Sequence, residues 1–423
     1  MELILTAVPF FFLLILVELI WGIARGNNTY RINDSINSIS MGSLSRLQGL
    51  VILGFSASIY EIIVARYQLS QLPDDAPWVW ISCFVLYDFA YYWKHRLGHE
   101  VALFWGSHVA HHQSEDYNLS TALRQTSIDF HSFLFYLPFF FLGFPAEILF
   151  TVVSLNLIYQ FWVHTEHITR LGPIEWLFVT PSNHRVHHAR NKIYVDRNYG
   201  GVFIIWDRIF GSFQDELGEE PAVFGLRKPL NSWNPLWANV HVYWRLTLDF
   251  FAMRGMANKL RLLFKPPGWR SDEQQSHCKL GQGVTDLTAK FDPPLSAFER
   301  IYTLIQFLFT AVLGLALLLA APSMNYVLVS IAVLYLFYAF YVHGAALEGS
   351  SQALSLEIVR LVFLVPVLIL LSLHPAITAL MFGNAVIALP LSLISASRKN
   401  YYRVSGNSSK SSPVSGSRSS NWA

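Results

Sequence analysis

The sequence predicts an all-α polytopic membrane protein with about nine transmembrane helices and a histidine-rich site at one membrane surface. Hydrophobic residues make up 53% of the 423 residues and charged residues only 14%, a balance that is unusual for a soluble chain. Several apolar runs approach the roughly 20 residues that are needed to cross a bilayer. In addition, ten of the 15 histidines lie in two short segments.

Five of the predicted spans lie in the first half of the chain. They are the apolar runs at residues 3–24, 50–67, 78–93, 130–141 and 148–161. The polar stretch at residues 27–45 is predicted to connect the first two spans, and the arginines in and beside it indicate the cytoplasmic side. The last two runs are short and are separated by Gly143-Phe144-Pro145, which predicts a helical hairpin.

The second half of the chain contains four further apolar runs, at residues 301–320, 326–342, 361–373 and 376–394. This even number returns the chain end to the cytoplasmic side. Residues 214–295 are the least apolar long stretch and are predicted to form a cytoplasmic cap, in which residues 246–264 could be an amphipathic interfacial helix. The serine-rich end of the chain is predicted to be disordered.

Charge and cysteine content exclude several classes of protein. The formal net charge is +2, which is too small to indicate nucleic-acid binding. Cys83 and Cys278 are the only cysteines, so the sequence predicts neither a disulfide framework nor a thiolate metal site.

The histidines recur at spacings that place them on common helix faces. His95 and His99 are four residues apart, and the trios that end each segment have the spacing i, i+3, i+4. The parity of the spans and the positive loops place both segments on the cytoplasmic side. Because neutral imidazole is a common ligand of iron, copper and zinc, the two segments are predicted to form one site for a pair of metal ions. The predicted ligands are His95, His99, His108, His111, His112, His164, His167, His184, His187 and His188.

Several polar side chains near the histidines are predicted to form hydrogen bonds at the site. Asp88 lies in an apolar span about two turns before His95, where an ionisable group usually faces a protein interior. Asp116 and Glu166 adjoin the histidines in sequence and could orient an imidazole. Asn183 and Asp196 could accept hydrogen bonds from the second ring nitrogens of the ligands.

The histidine pattern, in the order HX3H, HX2HH, HX2H and HX2HH, resembles that of the fatty acid hydroxylase and sterol desaturase superfamily of membrane di-iron enzymes. The match covers about residues 78–213. Three flanking stretches are most similar to the branch that oxidises alkylglycerols, and the similarity to that branch could extend over the whole chain. They are HEVALFWGSHVAHHQSEDYNLSTALRQ, QFWVHTEHITRLGPIEW and NHRVHHARNKIYVDRNYGGVFIIWDRIFGSF.

The resemblance implies two iron ions, dioxygen as oxidant, tetrahydrobiopterin as reductant and a glyceryl ether lipid as substrate. Hydroxylation of the ether-linked carbon would give an unstable hemiacetal, which collapses to a fatty aldehyde and a glycerol derivative. Phe84, Tyr87, Tyr91 and Phe161 are candidates for the walls of a lipid channel. Arg124 and Gln125 could bind the pterin or a lipid headgroup, and the sequence does not separate these two ligands.

The predicted domain organisation follows from the spans and the resemblance. Residues 1–70 form N-terminal transmembrane helices, 71–220 the di-iron core, 221–298 the cytoplasmic cap or linker, 299–397 a four-helix transmembrane region and 398–423 a disordered tail. The expected location is the endoplasmic reticulum for a eukaryotic source and the inner membrane for a bacterial one. The sequence leaves the formation of a homo-oligomer open.

Two alternative functions remain open at the level of the sequence. A sterol or fatty-acyl hydroxylase or desaturase would use the same irons and topology. A metal transporter would bind its ions near the bilayer midplane in broken helices, whereas these histidines are predicted to lie just beyond the spans. Bound iron with pterin-dependent oxygen consumption would indicate the enzyme, and metal flux into liposomes would indicate the transporter.

Overall fold

The computed structural model describes residues 2–271 and 288–407 of the chain. Within these ranges the regular secondary structure is helical, and two isolated β-bridges join Phe178 to Phe203 and Ala189 to Phe224. The described residues contain no β-strand. The predicted all-α class is therefore confirmed.

The first half of the chain forms three long helices followed by shorter ones. The helices are α1 Glu2–Ala24, α2 Ile32–Tyr67, α3 Pro77–Glu100, α4 Ala102–His108, α5 Leu119–Ala122, α6 Ser132–Leu142, α7 Ala146–Trp162, α8 Pro181–His188 and α9 Ile205–Phe210. Helix α2 corrects the prediction of a polar connection over residues 27–45. Its polar residues remain helical because they are buried and bonded to other segments; for example, Asn37 Nδ2 donates to the carbonyl oxygen of Trp233 at 2.6 Å.

The second half of the chain forms a pair of surface helices and a bundle of long helices. They are α10 Pro235–Ala252, α11 Met256–Phe264, α12 Ala297–Ala320, α13 Tyr326–Leu347, α14 Ala353–Leu371 and α15 Pro375–Asn407. The predicted interfacial helix at residues 246–264 is thus divided between α10 and α11, because the chain turns at Gly255, which has a positive φ of 77°.

The predicted disordered tail and the predicted cap both lie partly outside the described residues. Helix α15 continues to Asn407, beyond the predicted start of a disordered tail at residue 398. Residues 408–423, and residues 272–287 of the predicted cap with Cys278, lie outside the described residues.

Five helices are long and apolar enough to cross a membrane, at Leu3–Ala24, Ala297–Ser323, Tyr326–Leu347, Ala353–Leu371 and Pro375–Ser392. Two shorter apolar helices, Ser132–Leu142 and Ala146–Trp162, correspond to the predicted hairpin. The other two predicted spans fall within α2 and α3. The chain is therefore an integral membrane protein, while the number of nine spans stays a prediction.

The turn of the hairpin depends on a glycine. Gly143 has a φ of 90°, and a Cβ atom at this position would lie 2.0 Å from the carbonyl oxygen of Ser70. Only glycine fits such a left-handed and crowded position. The hairpin helices α6 and α7 pack on α3 through an apolar cluster that includes Cys83 and Ile148, and this packing fixes where the loop after α7 begins.

The bundle of α12–α15 packs against α2. Ile36, Leu44 and Leu47 of α2 share one core cluster with Leu336 and Phe340 of α13. Helix α2 therefore joins two parts of the molecule: the C-terminal bundle on one side and the histidine-bearing loops on the other, where Ser114 Oγ donates to Asp34 at 2.5 Å.

Candidate metal centre

Nine of the ten predicted histidine ligands gather into two groups, and within each group the candidate ligand atoms lie within 4.8 Å of one another. The five-histidine group contains His95, His99, His108, His112 and His187. The four-histidine group contains His111, His164, His184 and His188. Each group therefore combines residues from both segments of the sequence, because His187 joins the first segment and His111 joins the second.

The two trios divide in the same way: the i and i+4 members, His108 with His112 and His184 with His188, stay together, and the i+3 member, His111 or His187, joins the other group. Helix α4 ends at His108, and residues His111–Gln113 form a 3-10 turn. The predicted common face for His108, His111 and His112 is therefore wrong. His111 lies beside His164, with 3.4 Å between their Nε2 atoms, while His112 stays with His108 at 3.0 Å.

The ring nitrogens converge in a way that suits bound cations. The Nε2 atoms of His95 and His108 are 2.9 Å apart, and those of His164 and His184 are 3.1 Å apart. The Nε2 atoms of His99 and His188 are buried and have no hydrogen-bond partner. Buried nitrogens are rarely left in this state, and an all-nitrogen donor set is compatible with iron. The residues present therefore fit two metal ions.

Backbone carbonyl oxygens hold the other ring nitrogen of four of these histidines. His95 Nδ1 lies 2.7 Å from Tyr199 O, His111 Nδ1 2.8 Å from Arg124 O, His164 Nδ1 2.8 Å from Gln160 O and His187 Nδ1 3.0 Å from Arg197 O. A carbonyl can only accept, so Nδ1 carries the proton in each ring. Their Nε2 lone pairs are then free to bind a metal.

Burial keeps the imidazoles neutral. It lowers the pKa of His111 to about 4 and that of His187 to about 3, because the charged form is poorly solvated inside the protein. The histidines are therefore in the metal-binding form at neutral pH.

Two buried aspartates fix the loop that supplies the carbonyls of Arg197 and Tyr199. Asp207 accepts hydrogen bonds from the backbone N–H groups of Tyr199 at 2.7 Å and Gly200 at 2.8 Å. Asp88 accepts from the backbone N–H groups of Val202 and Phe203 at 2.7 and 3.0 Å, and Trp206 and Asn156 complete its shell. Burial raises the pKa of Asp207 to about 6. Because its bonds are to the N–H groups of Val202 and Phe203, Asp88 acts on the backbone of this loop.

The same loop needs unusual backbone conformations. Asp196 and Asn198 have positive φ values of 59° and 56°, a region that Asp and Asn tolerate better than most residues. Asn198 is held there because its Nδ2 donates to Asn183 O at 3.0 Å and to Gln214 O at 2.8 Å. Gly201 is required because a Cβ atom there would lie 2.9 Å from Asp88 Oδ1.

Two other buried residues, Arg124 and Glu18, support the four-histidine group. The Arg124 guanidinium donates to Ala110 O at 2.7 Å and to Gln113 Oε1 at 2.9 Å, on either side of His111. These bonds direct the guanidinium to groups of the protein itself, and the binding of a pterin or headgroup by Arg124 stays a prediction. Similarly, Gln125 Nε2 donates to Ala122 O at 3.1 Å.

Glu18 of α1 fixes the segment after His164 and the start of α5. It accepts from Thr165 Oγ1 at 2.5 Å and from the backbone N–H of Leu119 at 2.8 Å. The sequence showed Glu18 only as a charge within an apolar run. Such a buried intramembrane carboxylate is itself a signal of a specific partner.

His167 lies outside both groups. The loop turns from His164 toward α1 because Thr165 bonds to Glu18, and a Cβ atom at Gly22 of α1 would lie 3.3 Å from His167 Nε2. His167 therefore packs beside α1 and does not reach the other histidines.

The remaining predicted polar residues bond to groups other than imidazole. Asp116 pairs with Arg31 at 2.8 Å and with Lys290 at 2.6 Å, and Glu166 is exposed. Asn183 Oδ1 accepts from the backbone N–H of Thr180 at 3.2 Å, where it caps α8. Asp196 Oδ1 is 3.8 Å from His99 Nδ1, too far for a hydrogen bond. The prediction that these side chains orient imidazoles is therefore replaced by the backbone carbonyls described above.

A helical membrane protein with two adjoining groups of buried histidines has the features of a membrane fatty acid hydroxylase. The family model described as fatty acid hydroxylase matches residues 80–212, a range that contains both groups. The predicted superfamily resemblance is thereby confirmed.

Curated relatives extend the similarity beyond this core. The chain is 43% identical to alkylglycerol monooxygenase of Homo sapiens over 307 residues, which are 71% of this chain and 68% of the human protein. It is 40% identical to the Xenopus tropicalis protein of the same name over 71% of this chain and 68% of that protein. It is 36% identical to the Danio rerio protein of the same name over 85% of this chain and 80% of that protein. The chain therefore belongs to the alkylglycerol monooxygenase family. No solved structure matches it.

Proposed function

We propose that the chain is a membrane di-iron monooxygenase that hydroxylates the ether-linked carbon of alkylglycerol lipids. The observation that carries this proposal is the convergence of nine histidines, eight of them buried and His108 half-buried, into two adjoining metal-binding groups. Membership of the alkylglycerol monooxygenase family supports the substrate class.

The five-histidine group and the four-histidine group would each hold one iron ion. Iron bound there supplies the oxidising power that insertion of oxygen into an unactivated C–H bond requires. One oxygen atom of dioxygen enters the bond beside the ether oxygen and the other leaves as water, with two electrons from tetrahydrobiopterin. The hemiacetal then breaks its carbon–oxygen bond to give a fatty aldehyde and a glycerol derivative.

The residues of the chain contribute position and exclusion of water. The carbonyls of Arg124, Gln160, Arg197 and Tyr199 hold Nδ1–H of their histidines, which keeps each Nε2 directed inward. Asp88 is a positioning residue because it acts through the backbone of the loop that carries Tyr199. We assign Asp116 and Glu166 no contact with the metal; Asp116 instead connects the loop after His112 to Lys290.

Aromatic residues beside the metal groups support a path for the alkyl chain. The ring of Tyr91 lies 5.3 Å from that of His95, and Tyr87 lies one turn earlier on the same helix, 6.5 Å from Tyr91. Phe84 continues this line along α3. Phe161 instead stacks on Phe11 of α1 at 4.2 Å, which would place α1 along a wall of the same path.

We further propose that the metal groups face the cytoplasm, in the endoplasmic reticulum of a eukaryote or the inner membrane of a bacterium. The basic residues beside the first two predicted spans support this orientation. The division into N-terminal helices, di-iron core, cap and C-terminal helices is likewise a proposal, as is the assignment of dioxygen and lipid as its partners.

The match to the fatty acid hydroxylase model favours one second candidate. A sterol or fatty-acyl hydroxylase or desaturase would use the same histidines and would differ in the lipid and the electron donor.

The two candidates are separated by one assay. Purified protein with ferrous iron, oxygen and reduced pterin is given a panel of alkylglycerols, sterols and fatty acids, and fatty aldehyde is measured. We expect aldehyde from alkylglycerols only, and only with pterin. Product from a sterol or fatty acid, or turnover without pterin, would contradict the proposed function in favour of the second candidate.

A further inference from the structure

Helices α10 and α11 each expose apolar side chains along one line. We call these eight residues the exposed stripe: Trp237, Val240, Trp244, Leu248 and Phe251 on α10, and Met256, Leu260 and Phe264 on α11. Successive members are three or four residues apart, so they lie on one face of each helix. Phe251 is 74% exposed and Met256 64% exposed. Leu246 and Leu262, on the opposite faces, are buried in the protein.

Basic residues accompany the exposed stripe. Residues 235–270 contain six basic residues and one acidic residue. The single acidic residue, Asp249, already pairs with Arg270 and Arg245. Lys259 and Arg261 immediately precede and follow Leu260, which places them about 100° to either side of the stripe. A helix with an exposed apolar face and flanking basic residues is typical of the interface of an anionic membrane.

Helix α10 lies between the ends of two apolar helices. The Tyr243 ring is 6.1 Å from that of Phe130, which is exposed just before α6. At the other end of α10, Asn234 lies against the end of α13, where a Cβ atom at Gly344 would be 3.0 Å from Asn234 Cα. A helix that meets the ends of two membrane helices lies at the level of the membrane surface.

Both helices also contact α4, the helix that ends at the candidate ligand His108. The Oγ atom of Ser107 and the hydroxyl oxygen of Tyr243 are 2.6 Å apart, and the backbone N–H of Ala102 donates to Lys265 O at 3.0 Å. A Cβ atom at Gly106 would lie 2.6 Å from the Tyr243 ring. Movement of α10 or α11 would therefore displace α4, which ends at His108.

We propose that the exposed stripe inserts into the headgroup region of an anionic lipid leaflet, and that this insertion stabilises α4 and the five-histidine group. Lipid charge at the membrane surface would then control the activity of the metal centre. The first part is independent of the reaction, whereas the control of activity rests on the proposed function.

Label depth tests the insertion without any turnover. Single cysteines replace Phe251 or Leu260 in a Cys83→Ala/Cys278→Ala background and carry a fluorophore. The control label replaces Glu219, which is exposed in an acidic loop. The full chain is placed in nanodiscs of phosphatidylcholine with or without phosphatidylserine. We expect quenching of the stripe labels by nitroxides on the lipid chains, more strongly with phosphatidylserine, and quenching of the control label by aqueous iodide.

Two results would overturn insertion. Quenching of the stripe labels by iodide in both nanodiscs would show a water-exposed surface. Protection from both quenchers would show that a protein partner or a second copy covers the stripe.

Charge reversal tests the control of activity. The variant Arg254→Glu/Lys259→Glu/Arg261→Glu should need roughly tenfold more phosphatidylserine for the same quenching and turnover. Its matched control, Arg227→Glu/Lys228→Glu, changes two exposed basic residues outside the stripe and should behave as the unaltered chain. Equal responses of the two variants would overturn the proposal. If no protein forms aldehyde, the proposed function fails while the quenching data still decide the insertion.

Discussion

The metal centre and the C-terminal bundle both bury histidine among polar groups, but they satisfy its nitrogens differently. In the bundle, His343 Nε2 is 2.9 Å from Thr310 Oγ1, and the neighbouring Arg360 makes bonds of 2.7 and 2.8 Å to Glu357. Gln306 accepts from Arg360 at 2.6 Å and donates to Asn384 at 2.9 Å. In the metal centre, by contrast, Nε2 atoms face one another or have no partner.

This contrast separates a binding site from a structural contact. A buried polar network in which every described member is bonded needs no ligand and holds its helices together. Facing or unpaired imidazole nitrogens are costly unless a cation lies between them. The expectation is therefore that changes in the metal centre affect iron, and that changes in the bundle affect stability.

Loss of His111 should have the largest effect. His111→Ala removes the one histidine that the first segment gives to the four-histidine group, so turnover should be abolished and bound iron reduced. Membrane insertion should be unchanged. Iron content and aldehyde formation are measured on the purified variant. The control is His167→Ala, which lies outside both groups and should retain iron. Full activity in His111→Ala would exclude it as a ligand.

Loss of Arg360 should destabilise the bundle without removing iron. Arg360→Ala leaves the buried Glu357 carboxylate without its cation, which typically costs about 3–5 kcal/mol. Thermal unfolding in detergent and iron content are measured on the same sample. A lower melting temperature with full iron is expected. Loss of iron at an unchanged melting temperature would invalidate the distinction between the two regions.

Loss of the Asp88 charge should lower the iron affinity of the metal centre, although Asp88 itself contacts no candidate ligand. In Asp88→Asn, one acceptor oxygen becomes an NH2 group that faces donors from Val202, Phe203, Trp206 or Asn156. Iron affinity and turnover should fall about 10–100-fold, as for other residues that orient metal ligands. Asp292→Asn, at a half-exposed site in contact with Asn33, is the control and should change neither. An unaltered iron affinity in Asp88→Asn would argue against a positioning role.

The pH dependence of Asp207 should have the smallest effect. Its pKa of about 6 means that protonation below that pH weakens its bonds to the N–H groups of Tyr199 and Gly200. Turnover should therefore fall severalfold as the pH drops through about 6. In Asp207→Asn this step should disappear from the pH profile at lower activity. A step that persists in the variant must come from another group.

The stability contributed by Asp207 changes in the opposite direction. Its folded pKa of about 6 is raised above the unfolded value of about 3.9. Between these pH values the folded state holds the extra proton, so this contribution decreases as the pH rises through the window. Unfolding and turnover measured on the same samples would show the two opposite slopes.

The sequence was sufficient to predict the five long apolar helices and the nine gathered histidines, because both depend on local pattern. Apolar runs of about 20 residues and histidines one turn apart carry their meaning in their spacing. The sorting of His111 and His187 into opposite groups was not predictable, because it depends on how the two segments, which are distant in sequence, pack against each other.

The groups that orient the histidines were missed for a different reason. They are main-chain carbonyls, which every residue possesses, so residue identity at Gln160 or Tyr199 carries no signal. The carboxylates that seemed suited to this role, such as Asp116, found stronger partners in Arg31 and Lys290, residues distant in sequence. The one local indication was the Asp196-Arg197-Asn198 run, since Asp and Asn favour the left-handed turns found there.

The exchange of histidines between segments also constrains the order of biogenesis. Neither proposed iron position is complete until residues as far as His188 have left the ribosome and the α6–α7 hairpin has entered the bilayer. A truncated or wrongly inserted chain would thus offer each ion only part of its ligands. Iron loading would thereby act as a checkpoint, marking molecules in which the histidine segments before and after the α6–α7 hairpin have come together.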